Sequence, residues 1–319
     1  MKHMYKLFLS SVALLTGLAQ LKAQDPVFTQ FYANPLYLNP ALAGTKVCPR
    51  FNLNYRNQWP GISANYVTYA ASYDQYIHQI KGGIGITAFT DQAGGGTLKT
   101  TSVGAIYNNH LPLNRKVSIN TAVQAGYWQK SVDWSKLSFG DMIDPRQGFI
   151  YNTAEMANRT SITNFDMSAG MILTMDKYFV GGALHHAFEP NESFLNGVSV
   201  LPQKYTIHAG GIIYPNHNDK ETSISPNILW KKQQDFQELN LGMYFTRNVI
   251  VGGLWYRGQD SFILLLGIEK DLMRIGYSYD VTVSKLTNAT AGSHEISFSK
   301  SFTCKKPRPK HRPVQCPSF

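Results

Sequence analysis

Apolar and polar residues alternate with a period of two along most of the chain. Between 116 and 128, Val117, Ile119, Thr121, Val123, Ala125 and Tyr127 fall on one face, and Ser118, Asn120, Ala122, Gln124 and Gly126 on the other. This is the spacing of a β-strand with one apolar and one polar surrounding. The split recurs in 65–74, where Val67, Tyr69, Ala71 and Tyr73 oppose Thr68, Ala70, Ser72 and Asp74. It recurs again in 237–245 (Leu239, Leu241, Met243 and Phe245 outward) and in 273–281 (Met273, Ile275, Tyr277, Tyr279 and Val281 outward). The predicted strands lie near 50–58, 64–74, 80–90, 98–109, 116–128, 163–175, 177–186, 202–213, 222–230, 237–246, 248–257, 261–270, 272–281 and 292–302.

Strand length separates the two architectures that share this period. Strands of soluble sandwiches average about 5 or 6 residues, whereas crossing a bilayer takes about 9–11 tilted residues. The segments here are of the longer kind. Aromatics gather toward their ends, at Tyr127 and Trp128, Trp255 and Tyr256, and Tyr277 and Tyr279, as girdles at the two membrane interfaces require. Trp59, Trp128 and Trp255 are therefore read as interface anchors. The predicted fold is all-β: a transmembrane antiparallel β-barrel of about 14 strands, an even number that closes. Tight connections at Met175-Asp176-Lys177 and Thr246-Arg247-Asn248 belong to the periplasmic side, and long ones at 129–162 and 187–201 to the outside. Ile296, Phe298, Lys300 and Phe302 share a face of a last strand that ends on an aromatic.

Composition agrees, with 18 Tyr, 17 Phe and 26 Gly in 319 residues and only 16% charged, which excludes a helical design. The net charge of +10 is concentrated at the ends, in Lys2, Lys6 and Lys22 and in Lys305, Lys306, Arg308, Lys310 and Arg312. No basic face with interleaved aromatics remains for nucleic acid. The first 23 residues combine a basic start, an apolar stretch over 7–19 and a small residue, Ala23, before Gln24. They predict an export signal cleaved after Ala23. The apolar stretch is shorter than the about 20 residues of a membrane helix. The expected division is a signal peptide over 1–23, a plug or periplasmic segment over 24–47, an outer-membrane barrel over 48–303 and a basic periplasmic tail over 304–319.

The segment DPVFTQFYANPLYLNPALAG (25–44) is aromatic yet broken by Pro26, Pro35 and Pro40. Asn34-Pro35 and Asn39-Pro40 set two bends, and Phe28, Phe31, Tyr32, Leu36, Tyr37 and Leu38 supply bulk. A fourteen-stranded ring is too wide for wall side chains alone to fill. The segment is expected to plug the lumen, where its irregular backbone finds polar partners; the alternative is a flap across the periplasmic mouth. Alternation turns Arg56, Asp74, Glu238, Arg274, Asp280 and Glu295 inward, where charges need pairing, with Arg56 and Glu295 facing each other across the closing seam.

Three cysteines, Cys48, Cys304 and Cys316, are disulfide candidates in an oxidising compartment. Cys48 with Cys304 would bolt the seam, Cys304 with Cys316 would close a tail loop, and Cys48 with Cys316 would pin the tail. Sequence does not choose among them. Strand alternation puts the rings of His185 and His186 on opposite faces, and no metal-ligand spacing occurs. The chain has no nucleophile-elbow, H-E-x-x-H or phosphate-loop motif. On the last strand Ser297 and Ser299 face inward with Glu295 while His294 faces outward, which pairs no nucleophile with a base. No catalytic residue, metal or cofactor is expected.

Four stretches carry a resemblance: the segment 25–44, YRNQWPGI (55–62), RIGYSYD (274–280) and GSHEISF (292–298), with CPSF (316–319) at the end. Together, in order, they resemble the PorP/SprF family of type IX secretion and gliding outer-membrane proteins of Bacteroidota. The resemblance implies a non-enzymatic barrel that helps secrete or hold large surface adhesins, working with periplasmic ring and motor proteins of the system. Two functions are compatible with the residues. In one, the outer loops 129–162 and 187–201 hold an exported adhesin while the plug or the basic tail reaches the periplasmic machinery. In the other, the protein is a plugged or gated diffusion channel for small or hydrophobic solutes.

Overall fold

The computed structural model describes residues 25–46, 48–114, 116–144, 146–153, 159–194, 197–216, 221–258, 260–283 and 291–304. The expected signal peptide, and the tail with Cys316, lie outside the described residues.

The first strands are β1 (Arg50–Gln58), β2 (Tyr66–Ile77), β3 (Gly82–Ala93), β4 (Leu98–Pro112) and β5 (Val117–Val132). A small hairpin of β6 (Ile143–Asp144) and β7 (Gly148–Phe149) precedes β8 (Ser161–Met175), β9 (Tyr178–His185), β10 (Lys204–Gly211) and β11 (Thr222–Gln233). The remaining strands are β12 (Phe236–Arg247), β13 (Ile250–Arg257), β14 (Ser261–Lys270), β15 (Met273–Thr282) and β16 (Ser293–Ser301). All except β6 and β7 join one closed ring, each strand beside its sequence neighbour and β1 beside β16. Every pairing in it is antiparallel, and at the seam Arg50 lies opposite Ser301 and Arg56 opposite Glu295.

Alternation decides which face goes where. Val103, Tyr127, Phe165, Leu254, Leu266 and Tyr277 are exposed on the outside of the ring, while Asn52, Asn108, Asn120, Thr206, Asn240 and Ser278 are buried within it. A wall that exposes its apolar residues and buries its polar ones is built for lipid outside. Strands β4, β5 and β8 run longer than their spacing predicts, reaching 15, 16 and 15 residues. Beyond the aromatic positions their outward residues turn polar, with Gln129 hydrogen-bonded to Ser161 and Tyr127 to Thr163, so this wall continues past the apolar band.

The two rims differ. At one, Asp176, Asn248 and Asp271 take left-handed backbone (φ 50°, 54° and 55°) in two-residue turns, a conformation that short Asn and Asp side chains tolerate. A disulfide joins Cys48 to Cys304 at this rim, with Cα atoms 5.5 Å apart and 256 residues between them in sequence. It lies just beyond the seam of β1 and β16. The opposite rim carries the long connections 133–160 and 186–203.

Candidate functional site

Residues 25–44 run inside the ring, and their own chemistry gives them shape. Pro35 opens a single helical turn, α1 (Pro35–Leu38), and Pro40 opens a 3-10 turn (Pro40–Leu42). Proline suits a first helical position because it lacks only an amide that would go unpaired there. The Asn39 side chain accepts the amide of Ala41 at 2.9 Å, capping the second turn. Phe28, Phe31, Tyr32, Leu36, Leu38 and Leu42 are all at most 5% exposed.

The wall grips this segment along its whole length. Glu295 on β16 accepts the Thr29 amide (2.6 Å), the Thr29 hydroxyl (2.8 Å) and the Gln30 amide (3.2 Å). Asn39 Nδ2 donates to the carbonyls of Met171 on β8 (3.2 Å) and Gly182 on β9 (3.1 Å). Asn108 on β4 donates to the carbonyls of Ala41 and Ala43 (3.1 and 2.7 Å), and Gly44 N donates to Asp74 on β2 (2.9 Å). The ring of Phe31 meets Trp255 edge-on at 4.9 Å, Tyr32 meets Phe179 at 5.8 Å and Tyr37 meets Phe89 at 5.6 Å. Close approach depends on bare wall positions. A Cβ on Gly170 would stand 2.2 Å from Asn39 Oδ1, and one on Gly83 would stand 2.2 Å from the Ala43 carbonyl oxygen.

Charges inside the ring pair with one another. Arg50 makes two contacts with Asp74, at 2.9 and 3.0 Å, the bidentate geometry that makes arginine–carboxylate pairs strong. Arg56 bridges Asp280 (2.9 Å) and Glu295 (3.4 Å). Arg257 lies 3.5 Å from both Glu238 and Asp280, and Arg274 lies 3.8 Å from Glu269. At the loop-bearing end, Asp25 meets Lys204, His186 Nε2 (2.9 Å) and Gln233 Nε2 (3.3 Å), while His186 Nδ1 meets Asp166 at 2.6 Å. Burial opposes protonation of His186, but the carboxylates of Asp25 and Asp166 outweigh it and raise its pKa to about 9. Burial likewise opposes ionisation of Asp25, and the charges of His186 and Lys204 overcome it, holding its carboxyl well below the usual range. The imidazolium thus donates through both nitrogens to two carboxylates.

Arg56, Asp74, Glu238, Arg274, Asp280 and Glu295 are all at most 8% exposed inside the ring. Arg50, Asp166, Lys204 and Arg257 belong to the same system and were missed, although alternation with Asn52, Ser168 and Thr206 marks the first three as inward; Arg257 shares its parity with Trp255, which was read as an interface anchor. Asp25 and His186 carried no such periodic signal. Two anchors are corrected: Trp128 (6% exposed) and Trp255 (0%) point inward. Their outward neighbours Tyr127 and Tyr256 are exposed at 46% and 40%, so parity, and not nearness to a strand end, fixes the face. Trp59 is half-buried beyond β1, its ring 5.8 Å from that of Tyr66. The histidine pair is corrected too. His185 ends its strand and His186 turns at φ 58°, so both rings are buried, 6.5 Å apart, on one side of the wall.

A closed fourteen-stranded antiparallel ring, apolar outside and polar inside, defines an outer-membrane β-barrel protein. Residues 20–299 match the family described as type IX secretion system membrane protein PorP/SprF, and the chain belongs to that family. Among curated proteins no sequence matches. Among solved structures, the Ralstonia pickettii toluene transporter TbuX is similar at 12% identity and a TM-score of 0.50, over 84% of this chain and 93% of that one. The P. putida toluene transporter TodX is similar at 10% identity and 0.48, over 86% and 94%. The Acinetobacter baumannii outer membrane protein Omp33 is similar at 8% identity and 0.46, over 80% and 99%. The likeness to TbuX shows the barrel fold alone. The protein is an outer-membrane component of type IX secretion, and in barrels of this class the short turns lie on the periplasmic side.

Proposed function

We propose that this protein is a plugged, non-enzymatic adaptor in the outer membrane. In this reading its outer loops support the secretion or surface anchoring of large adhesins, as gliding requires, and its periplasmic side links them to ring and motor proteins. Residues 25–44 are the plug. The observation that supports the reading is the anchoring of this segment at both ends, by Asp25 to His186, Lys204 and Gln233 and by Gly44 to Asp74. A segment held at both levels of the lumen leaves little room for a permeant solute, which favours the adaptor over a diffusion channel.

The test has two parts. In planar bilayers the purified protein is expected to be electrically silent; steady conductance would instead make it a channel. Co-purification from native membranes, followed by mass spectrometry, is expected to recover one exported surface protein and at least one periplasmic component. Recovery of neither would sink the adaptor reading. Deleting 305–319 tests whether the basic tail makes the periplasmic link: export should fail while the barrel still assembles.

A further inference from the structure

Above the N-terminal segment, the outer mouth of the barrel holds a cavity of about 310 Å³, within the size range of small-ligand pockets. Asp25 and Pro26 form its floor, and Trp59, Tyr66, Trp128 and Asp91 line its walls. Charges around it are matched with one exception. Glu192 holds Lys130 at 2.6 Å and accepts the indole N–H of Trp128 at 2.5 Å. Asp25 is taken by His186 and Lys204. Asp91 on β3 faces the same cavity, and among the described residues its hydrogen-bond partner is the Thr68 hydroxyl, at 2.6 Å on Oδ1. Lys130, whose field reaches Asp91, is committed to Glu192.

A half-desolvated carboxylate without its own cation gains from an incoming one, and indole and phenol faces beside it attract the same kind of group. The cavity lies at the rim of the long connections, and Glu192 and Leu201 of the connection 186–203 contribute to its lining. We propose that this vestibule binds a basic side chain, lysine or arginine, of a polypeptide at the outer face, with Asp91 as its counter-ion. The source of that polypeptide rests on the secretion reading; the chemistry of the pocket does not.

The test uses the whole purified protein in detergent and three short blocked peptides, Gly-Lys-Gly, Gly-Arg-Gly and Gly-norleucine-Gly. Tryptophan fluorescence, which Trp59 and Trp128 report, and calorimetry follow binding. The lysine and arginine peptides are expected to bind at least tenfold more tightly than the norleucine peptide, and added salt should weaken them. Asp91→Asn should lose at least tenfold for the basic peptides and nothing for norleucine. Equal binding of norleucine, undiminished binding by Asp91→Asn, or no binding by the wild type overturns the proposal. If Asp91→Asn fails to assemble, the lysine and norleucine comparison on the wild type still decides. Peptide binding with no partner recovered from membranes would count against the adaptor and leave the vestibule standing; the reverse would remove the vestibule alone.

Discussion

Glu295 and Ile296 are neighbours on β16 and opposites in surroundings. Glu295 is fully buried, accepting three hydrogen bonds from Thr29 and Gln30 and facing Arg56 at 3.4 Å, whereas Ile296 is 48% exposed on the apolar outside. The outer face answers to a solvent that asks only for apolar surface. The inner face answers to one particular segment of chain whose amides and hydroxyls must each be met. The two faces should therefore differ sharply in tolerance. Glu295→Gln leaves Asp280 as the one carboxylate on Arg56 and is expected to cost about 3–5 kcal/mol, the usual penalty for breaking a buried pair. Ile296→Leu should cost less than about 1.5 kcal/mol. Thermal unfolding in detergent, read as the loss of compact migration on electrophoresis, compares them; similar midpoints for the two variants would break the distinction.

The disulfide marks where the two regions meet, since Cys48 lies between the last gripped residue of the segment, Gly44, and the first residue of the wall, Arg50. It ties residues 256 apart, so it restrains the unfolded chain strongly, and Cys48→Ser is expected to cost about 2–4 kcal/mol. Reduction of the wild type should reproduce that loss, and reductant should do nothing further to the variant. A larger effect of reductant on Cys48→Ser would place another thiol pairing in control.

Legibility in the sequence followed the same divide. The outward face could be read strand by strand because lipid enforces a strict period of two, and all fourteen barrel strands lie where alternation puts them. Inward residues such as Glu238, Asp280 and Glu295 were legible as facing the lumen, again by parity. Their partners inside the ring were not, because partnership depends on where residues 25–44 thread, and nothing periodic encodes that path. Pro35 and Pro40 signalled bends, but Asn39 reaching Met171 and Gly182 is a tertiary fact. Trp128 and Trp255 misled because an aromatic near a strand end satisfies two different demands, an interface outside and a packing partner inside. His186 misled because its left-handed φ breaks the alternation one residue after His185.

Gly170 and Ala169 sharpen the comparison at one point of the wall. Ala169 is exposed outside, while a Cβ on Gly170 meets Asn39 Oδ1 at 2.2 Å. Gly170→Val is expected to push the 3-10 turn off the wall at about 1–3 kcal/mol, the cost of overpacking, and to raise amide exchange within 38–44. Ala169→Val should leave exchange there unchanged. Equal protection in both variants would mean that the segment does not need this close approach.

The smallest effect concerns the upper latch, where His186 faces Asp25 and Asp166 with Lys204 and His185 close by. The pKa of His186 rises from 6.5 to about 9 on folding, so its contribution is fully present below about pH 6.5 and is lost as pH climbs through about 9. Asp25 behaves in the opposite sense. Its carboxyl is depressed below 3.8, so its share is present above that value and is lost only as pH falls through the lower, folded one. The His186 and Asp25 shares are therefore both fully present from about pH 4 to about pH 6.5, and the His186 share is gone once pH has passed about 9. The unfolding midpoint of the wild type should fall modestly as pH rises through 9. His186→Gln should begin lower at neutral pH and lose part of that alkaline decline, because Gln has no proton to give up. An unchanged alkaline decline in His186→Gln would assign the step to another group, and the lumen segment would then be held from Thr29 downward, by Glu295, Asn108 and Asp74.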